Sequence, residues 1–307
     1  MDAKDVLIFC QMAFSDTSFS TIRDRHVSPS TIGRIVGLDE KTVRLRIKKM
    51  EEDGFIKHYQ VVPNLGLFGL GSTGRYRFEA LNLATKRRVV DFTHEVPQVL
   101  ETFDYLGQSV SISFAGVSSR DVQKSADEIA SRFELAKWNL HEASVRSCPQ
   151  RMDRLDWQII KEMRYSARRS TTDLAKALSI TTRMAEYRMR RLMESGAMTV
   201  RASIDPRRQT GLVFYELELT VAEANQVHLA RALAEKHGEK LWSTVASNNV
   251  MLASLFCFSL GEPEDTSIDA AKLEGVKSCT LYVLKEVIEP RGPNWIDWKI
   301  EERLAKA

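Results

Sequence analysis

Residues 44–54 read RLRIKKMEEDG, and residues 186–196 read EYRMRRLMESG. Both are basic runs with apolar residues at helical spacing, and both close on acidic residues and a glycine. Extended outward, the first becomes STIGRIVGLDEKTVRLRIKKMEEDGFIKHYQVVP and the second TDLAKALSITTRMAEYRMRRLMESGAMTVRASIDP. At an offset of 142, Ile35 meets Ala177, Leu38 meets Ile180, Ile47 meets Met189, Met50 meets Leu192 and Gly54 meets Gly196. Arg46, Lys48 and Lys49 meet Arg188, Arg190 and Arg191. Apolar positions that match at low identity mark a duplicated structural unit.

Each copy reads as three helices and a short hairpin. In the second, RLDWQIIKEMRYS has apolar residues at 155, 159, 160 and 163, a helical stripe. Ser170 or Thr171 caps the next helix, TTDLAKAL, and TTRMAEYRMRRLMESG is a third, stopped by Gly196. MTVRASIDP alternates as a strand. The pattern is that of a winged helix-turn-helix. Behind each copy the order strand, helix, two strands, helix, strand repeats, which is a ferredoxin-like βαββαβ unit. The expected fold class is α+β, a tandem repeat of winged helix-turn-helix and ferredoxin-like domains. The expected bounds are 1–64, 72–147, 151–208 and 212–290, with a C-terminal helix over 291–307.

The chain has 307 residues, enough for two to four domains, and 28% of them are charged. Net charge is +3 but uneven: residues 151–208 hold 14 Lys/Arg against 7 Asp/Glu, and residues 1–62 hold 10 against 9. Basic charge gathered in one segment points to a polyanionic partner. No apolar run approaches the roughly 20 residues needed to span a bilayer, so no membrane partner is expected. The N-terminus lacks the cationic start and cleavage site of a secretory leader, and a cytoplasmic location is expected. The four cysteines are scattered without a C-x-x-C pair, so neither a metal site nor a cofactor is expected.

The run GLDEKTVRLRIKKMEEDGFI resembles the helix-turn-helix core of the Lrp/AsnC, or leucine-responsive, regulator family. The second half is similar at MDRLDWQIIKEMRYSARRSTTDLAKALSIT, and each βαββαβ unit resembles that family's effector-binding and oligomerisation domain. The resemblance implies a transcriptional regulator that binds double-stranded DNA. Ordinary members carry one copy per chain and pair; this chain looks like an intramolecular pseudo-dimer. Further homo-oligomerisation through sheet faces or the Trp295/Trp298 tail is a secondary expectation, with packing of those tryptophans onto their own domain as its alternative.

In the third helix of copy one, Val43, Ile47 and Met50 form the inward stripe. Lys41, Arg44, Leu45 and Lys48 point the other way, with Lys49 alongside and Thr42 completing the candidate DNA-contacting set. Lysine and arginine neutralise phosphates, and arginine also reads guanine edges. Leu45 and its counterpart Tyr187 would meet a thymine methyl or a sugar. In copy two the outward set is Arg183, Tyr187, Arg190 and Arg191, with Glu186 where copy one has Arg44. Arg207 and Arg208, past the second wing, would add backbone contacts, while Arg46 and Arg188 lie nearer the core and suit structural pairing. The heads therefore differ, an asymmetric site is expected, and the charge balance favours a dominant second head.

The resemblance also implies a small-molecule, amino-acid-like effector near the hairpin of the ferredoxin-like unit, at Gly107, Gln108 and Ser109. The alternative is that Gly107 serves a tight turn. VMLASLFCF in copy two is apolar on both faces, as in a strand buried on both sides where two sheets meet. A rival family with the same architecture, the sirohaem decarboxylases, uses histidine and basic residues in and near these hairpins. FDYLGQSVSISF and STVASNNVMLAS contain neither His nor Arg, and His26, His58, His94, His141, His228 and His237 show no ligand spacing. No nucleophile elbow or phosphate loop occurs either, so no catalytic residues and no enzymatic role are expected.

Overall fold

A computed structural model describes residues 1–13, 28–208, 211–238, 240–290 and 293–306; His26 lies outside them. The first half begins with α1 (Ala3–Ala13), α2 (Pro29–Val36), α3 (Glu40–Glu52) and β1 (Ile56–Pro63). It continues with β2 (Ser72–Glu79), α4 (Leu83–Thr93), β3 (Val99–Tyr105), β4 (Ser109–Gly116), α5 (Ser119–Phe133) and β5 (Ala136–Ser144). The second half repeats the order: α6 (Arg154–Met163), α7 (Thr171–Leu178), α8 (Thr182–Glu194), β6 (Met198–Ile204), β7 (Val213–Val221), α9 (Gln226–His237), β8 (Leu241–Ser247), β9 (Val250–Cys257), α10 (Glu262–Ala271) and β10 (Val276–Ile288). A last helix, α11 (Trp295–Lys306), follows.

Local chemistry sets these bounds. Ser28 and Ser170 cap α2 and α7, and Asp39 and Thr181 cap α3 and α8, each accepting a first-turn amide. The α2 and α7 ends turn left-handed at Gly37 and Ser179, which occupy equivalent places. Gly54 and Gly196, after the third helices, have φ of 74° and 69°, a conformation that costs glycine least.

The wings differ from expectation. Instead of a hairpin within each copy, β1 pairs antiparallel with β6 of the other copy, Tyr59 opposite Ala202 and Val61 opposite Val200. Each winged helix is completed by the other half. Val61, Phe68 and Leu70 join the core of α6–α8 around Trp157 and Leu192. Ala202, Ile204, Phe214 and Phe256 join the core of α1–α3 around Phe9 and Phe55. Arg164, at the end of α6, is buried and donates to Gln60 Oε1 and the Val61 carbonyl, both at 2.8 Å.

The ferredoxin-like units merge into one eight-stranded sheet, order β5-β2-β4-β3-β10-β7-β9-β8. The seam is β3 with β10, Phe103 opposite Val287. β5 also touches β8 and β9, so the sheet curls toward closure. β9 is buried on both faces but does not form the seam. Its Met251, Ala253, Leu255 and Cys257 pack in the core with α9 and α10, while Phe256 turns to the first winged helix. The polar face of β4 looks into the curl, where Ser111 meets Arg75, Arg77 and Tyr105. α11 docks on α6, with Trp295 Nε1 donating to the Val99 carbonyl at 3.1 Å, whereas Trp298 is exposed.

Candidate nucleic-acid interface

Val43, Ile47 and Met50 of α3 are buried, as are Ala185 and Leu192 of α8. Opposite these stripes, Leu45 is 59% exposed and Tyr187 is 51% exposed. They stand at equivalent positions of the repeat. Lys41, Arg44, Lys48 and Lys49 are exposed around Leu45, and Arg183 and Arg190 are exposed around Tyr187. Met184 adds a second exposed apolar side chain to the later helix.

Within these faces the acids are distributed differently. Arg44 is bonded to Glu40 at 2.7 Å and Lys48 lies 3.5 Å from Glu52, pairs that are solvated and readily exchanged for phosphate. Glu186 sits among the cations of α8, 3.5 Å from the Thr171 hydroxyl. Thr42 is engaged in the cap: its hydroxyl donates to Asp39 at 2.5 Å, and that bond holds the Asp39 carboxyl below the usual range.

Two placements correct the expected set. Arg191 does not point outward: its Nη2 donates to both oxygens of the buried Asp156, at 2.6 and 2.5 Å. Arg188 bonds Asp153 and Asp156 at 2.5 and 3.0 Å, as Arg46 bonds Asp2 and Asp5, both at 2.8 Å. Each copy thus ties its third helix to an acid pair at the start of its first helix. Arg207 and Arg208 do not flank α8. Arg207 is held by Asp205 and Glu286, and Arg208 lies beside Gly54, at the end of α3. The strand exchange carries Arg208 to the first head.

Much of the +7 of residues 151–208 is therefore engaged internally. Arg164, Arg168, Arg201 and Arg207 pair with Asp297, Glu51, Glu101 and Glu286, all outside that segment. Net charge no longer favours a dominant second head.

At the hairpin of copy one, Gly107 has φ 79° and makes the tight turn between β3 and β4. Lys86 Nζ donates to the Gly107 carbonyl at 2.8 Å and to that of Tyr105. Gln108 is exposed, and Ser109 is buried with its hydroxyl on Glu79. Two open surface grooves have volumes of about 310 and 240 Å³; the second is lined by Leu106, Arg207, Leu212, Phe214, Leu260 and Lys285, among others. Among the described residues no group of three or more His, Cys, Asp or Glu could hold a metal ion, and no helix is long and apolar enough to cross a membrane.

Residues 152–193 match the AsnC-type helix-turn-helix domain. A stretch of 81 residues is 28% identical to an uncharacterized HTH-type transcriptional regulator of Pyrococcus abyssi. It covers 26% of this chain and 54% of that regulator, so this chain spans about half the length of the curated relative it matches. Over its whole length the chain has the fold of the siroheme decarboxylase NirDL, with 13% identity, a TM-score of 0.57, and 99% of this chain and 97% of that one covered. E. coli AsnC aligns over 44% of this chain and 92% of its own, at 16% identity and a TM-score of 0.36. The expectation of no enzymatic role is overturned by the NirDL match, since an enzyme is built on this same full-length architecture.

Proposed function

We propose that the chain is a sequence-specific, DNA-binding regulator of transcription whose α3 and α8 enter major-groove segments of one site. The observation that carries this reading is the pair Leu45 and Tyr187. Two equivalent positions on two third helices both expose a large apolar side chain ringed by cations, which suits a helix that meets base edges between phosphate rows. Arg44 against Glu186 and Leu45 against Tyr187 make the heads chemically unlike, so the preferred site is asymmetric. Arg208 adds a cation beside the first head. An amino-acid-like effector at Gly107, Gln108 and Ser109 belongs to the same reading, with the Lys86-braced turn as the element it would engage.

Selection of bound duplexes from a random pool tests this. The expected outcome is an enriched site with two unlike half-sites. Replacing Lys41 and Lys48 with alanine degrades one half-site, and replacing Arg183 and Arg190 degrades the other. A perfect palindrome, or no enrichment, refutes it.

A second reading, action on a sirohaem-like tetrapyrrole, rests on the fold shared with NirDL. Inside the curled sheet the space is taken by Arg77, Tyr105 and Tyr282, so a tetrapyrrole would have to displace that layer or bind outside it. Titration with sirohaem, read by a shifted absorption band, distinguishes the two readings.

A further inference from the structure

The polar layer inside the eight-stranded sheet has opposite charge in the two copies. Arg75 of β2 lies in register between Ser113 of β4 and His141 of β5. Glu216 of β7 lies between Ser254 of β9 and Tyr282 of β10. Each residue stands 141 positions from its counterpart, so Arg75 and Glu216 occupy one place in the repeated unit. Arg77 and Glu218, two residues on, share the next inward place, beside Ser111 and Leu252.

The fold brings these four side chains together. Arg75 Nη2 donates to both Glu216 oxygens, at 2.9 and 3.0 Å. Arg77 Nε donates to Glu218 at 3.3 Å, and Arg77 Nη2 is 3.6 Å from Glu216. Tyr105 donates to Glu216 at 2.5 Å, Trp138 Nε1 donates to Glu218 at 2.8 Å, and the Tyr282 ring lies 3.6 Å from the Arg77 guanidinium. Arg77 is fully buried and Glu216 nearly so.

A pseudo-two-fold axis makes equivalent positions face each other. Two copies of the first unit would therefore set arginine on arginine, and two of the second glutamate on glutamate, away from water. Buried ion pairs add little to stability over an apolar replacement, but an uncompensated buried charge is costly, so such a layer discriminates between partners. We propose that the pairing surface of each ferredoxin-like unit is charge-coded: it accepts the unlike unit, of its own chain or of a second copy, and rejects its like. Across this interface an α3 head is always joined to an α8 head, whatever larger assembly the chain forms.

The test uses full-length chains. Arg75→Glu and Glu216→Arg each create a like-charged pair, and each is expected to melt roughly 6–10 °C below the parent. Refolded together in equal amounts with different tags, the two variants should co-purify 1:1 and melt above either refolded alone, because each unit then finds an opposite charge in the other chain. The double variant Arg75→Glu/Glu216→Arg should also melt above both singles. Glu216→Gln, which removes charge without reversing it, should melt above Glu216→Arg. Singles that melt with the parent overturn the proposal. So does a mixture or a double variant no more stable than the singles, or Glu216→Gln at or below Glu216→Arg.

Discussion

Replacing Arg164 with methionine tests whether the two halves form one folding unit. The side chain leaves α6, bonds Gln60 Oε1 and the Val61 carbonyl on β1 at 2.8 Å, and bonds Asp297 on α11 at 3.1 Å. Methionine keeps much of the apolar stem and removes all three bonds. Asp297 keeps the Tyr165 hydroxyl and the Asn294 amide on Oδ2 but loses its partner on Oδ1, so the change leaves two neutral acceptors, at about 1–3 kcal/mol each, together with the loss of a charged bond of similar size. These terms overlap, and the expected loss is about 3–5 kcal/mol, a large share of the roughly 5–15 kcal/mol that holds a domain folded. Urea unfolding followed by tryptophan fluorescence measures it, since Trp157 and Trp295 lie in the adjoining core. Because β1 is hydrogen-bonded to β6, amide exchange in α3 should accelerate along with that in α6. A loss below about 1 kcal/mol, or acceleration confined to α6 and α11, would refute the reasoning.

Four single-site substitutions have further expected outcomes. Burial, with Arg75 nearby, pushes His141 down to about 4, below the ordinary value near 6.5. The neutral ring's contribution is thus complete above pH ~6.5 and lost as pH falls toward 4, on the order of 3 kcal/mol; a His141→Gln variant should show a flatter stability profile across that window. Arg188→Ala should cost about 1–3 kcal/mol of stability and leave the salt dependence of DNA affinity unchanged. Arg190→Ala should do the reverse, reducing the log–log slope by about 0.9. Gly74→Ala should lower the melting temperature, because an added Cβ would sit 2.7 Å from the Val122 side chain where α5 crosses β2.

The helix-turn-helix units were legible because their signals are local: cap residues before each helix, a stripe of period 3.6, and a glycine where the chain turns left-handed. Arg46 and Arg188 were legible as structural for the same reason, lying at the edge of the buried stripe. What the pattern could not supply was partnership at long range. Alternation in IKHYQVVP and MTVRASI announces strands, yet their pairing with each other across the copies has no local signature. From that one fact follow the shift of Arg208 to the first head and the shared cores. Arg191 sits one residue beyond the outward stripe of α8, and its turn toward Asp156 depends on a carboxylate 35 positions earlier. VMLASLFCF announced a strand buried on both faces, but the seam formed at β3 and β10 instead. The opposition of Arg75 and Arg77 to Glu216 and Glu218 was visible in the repeat once aligned by strand, at an offset one residue shorter than that of the helices.

The most direct test of the central claim is the affinity of the full chain for duplex DNA across a salt series, by fluorescence anisotropy. The account predicts a log affinity that falls linearly with log salt concentration, with a slope reduced by Lys41/Lys48 alanine substitution and, separately, by Arg183/Arg190 substitution. Binding that is absent at low salt for every genomic fragment, or that is indifferent to both pairs of substitutions, would contradict it.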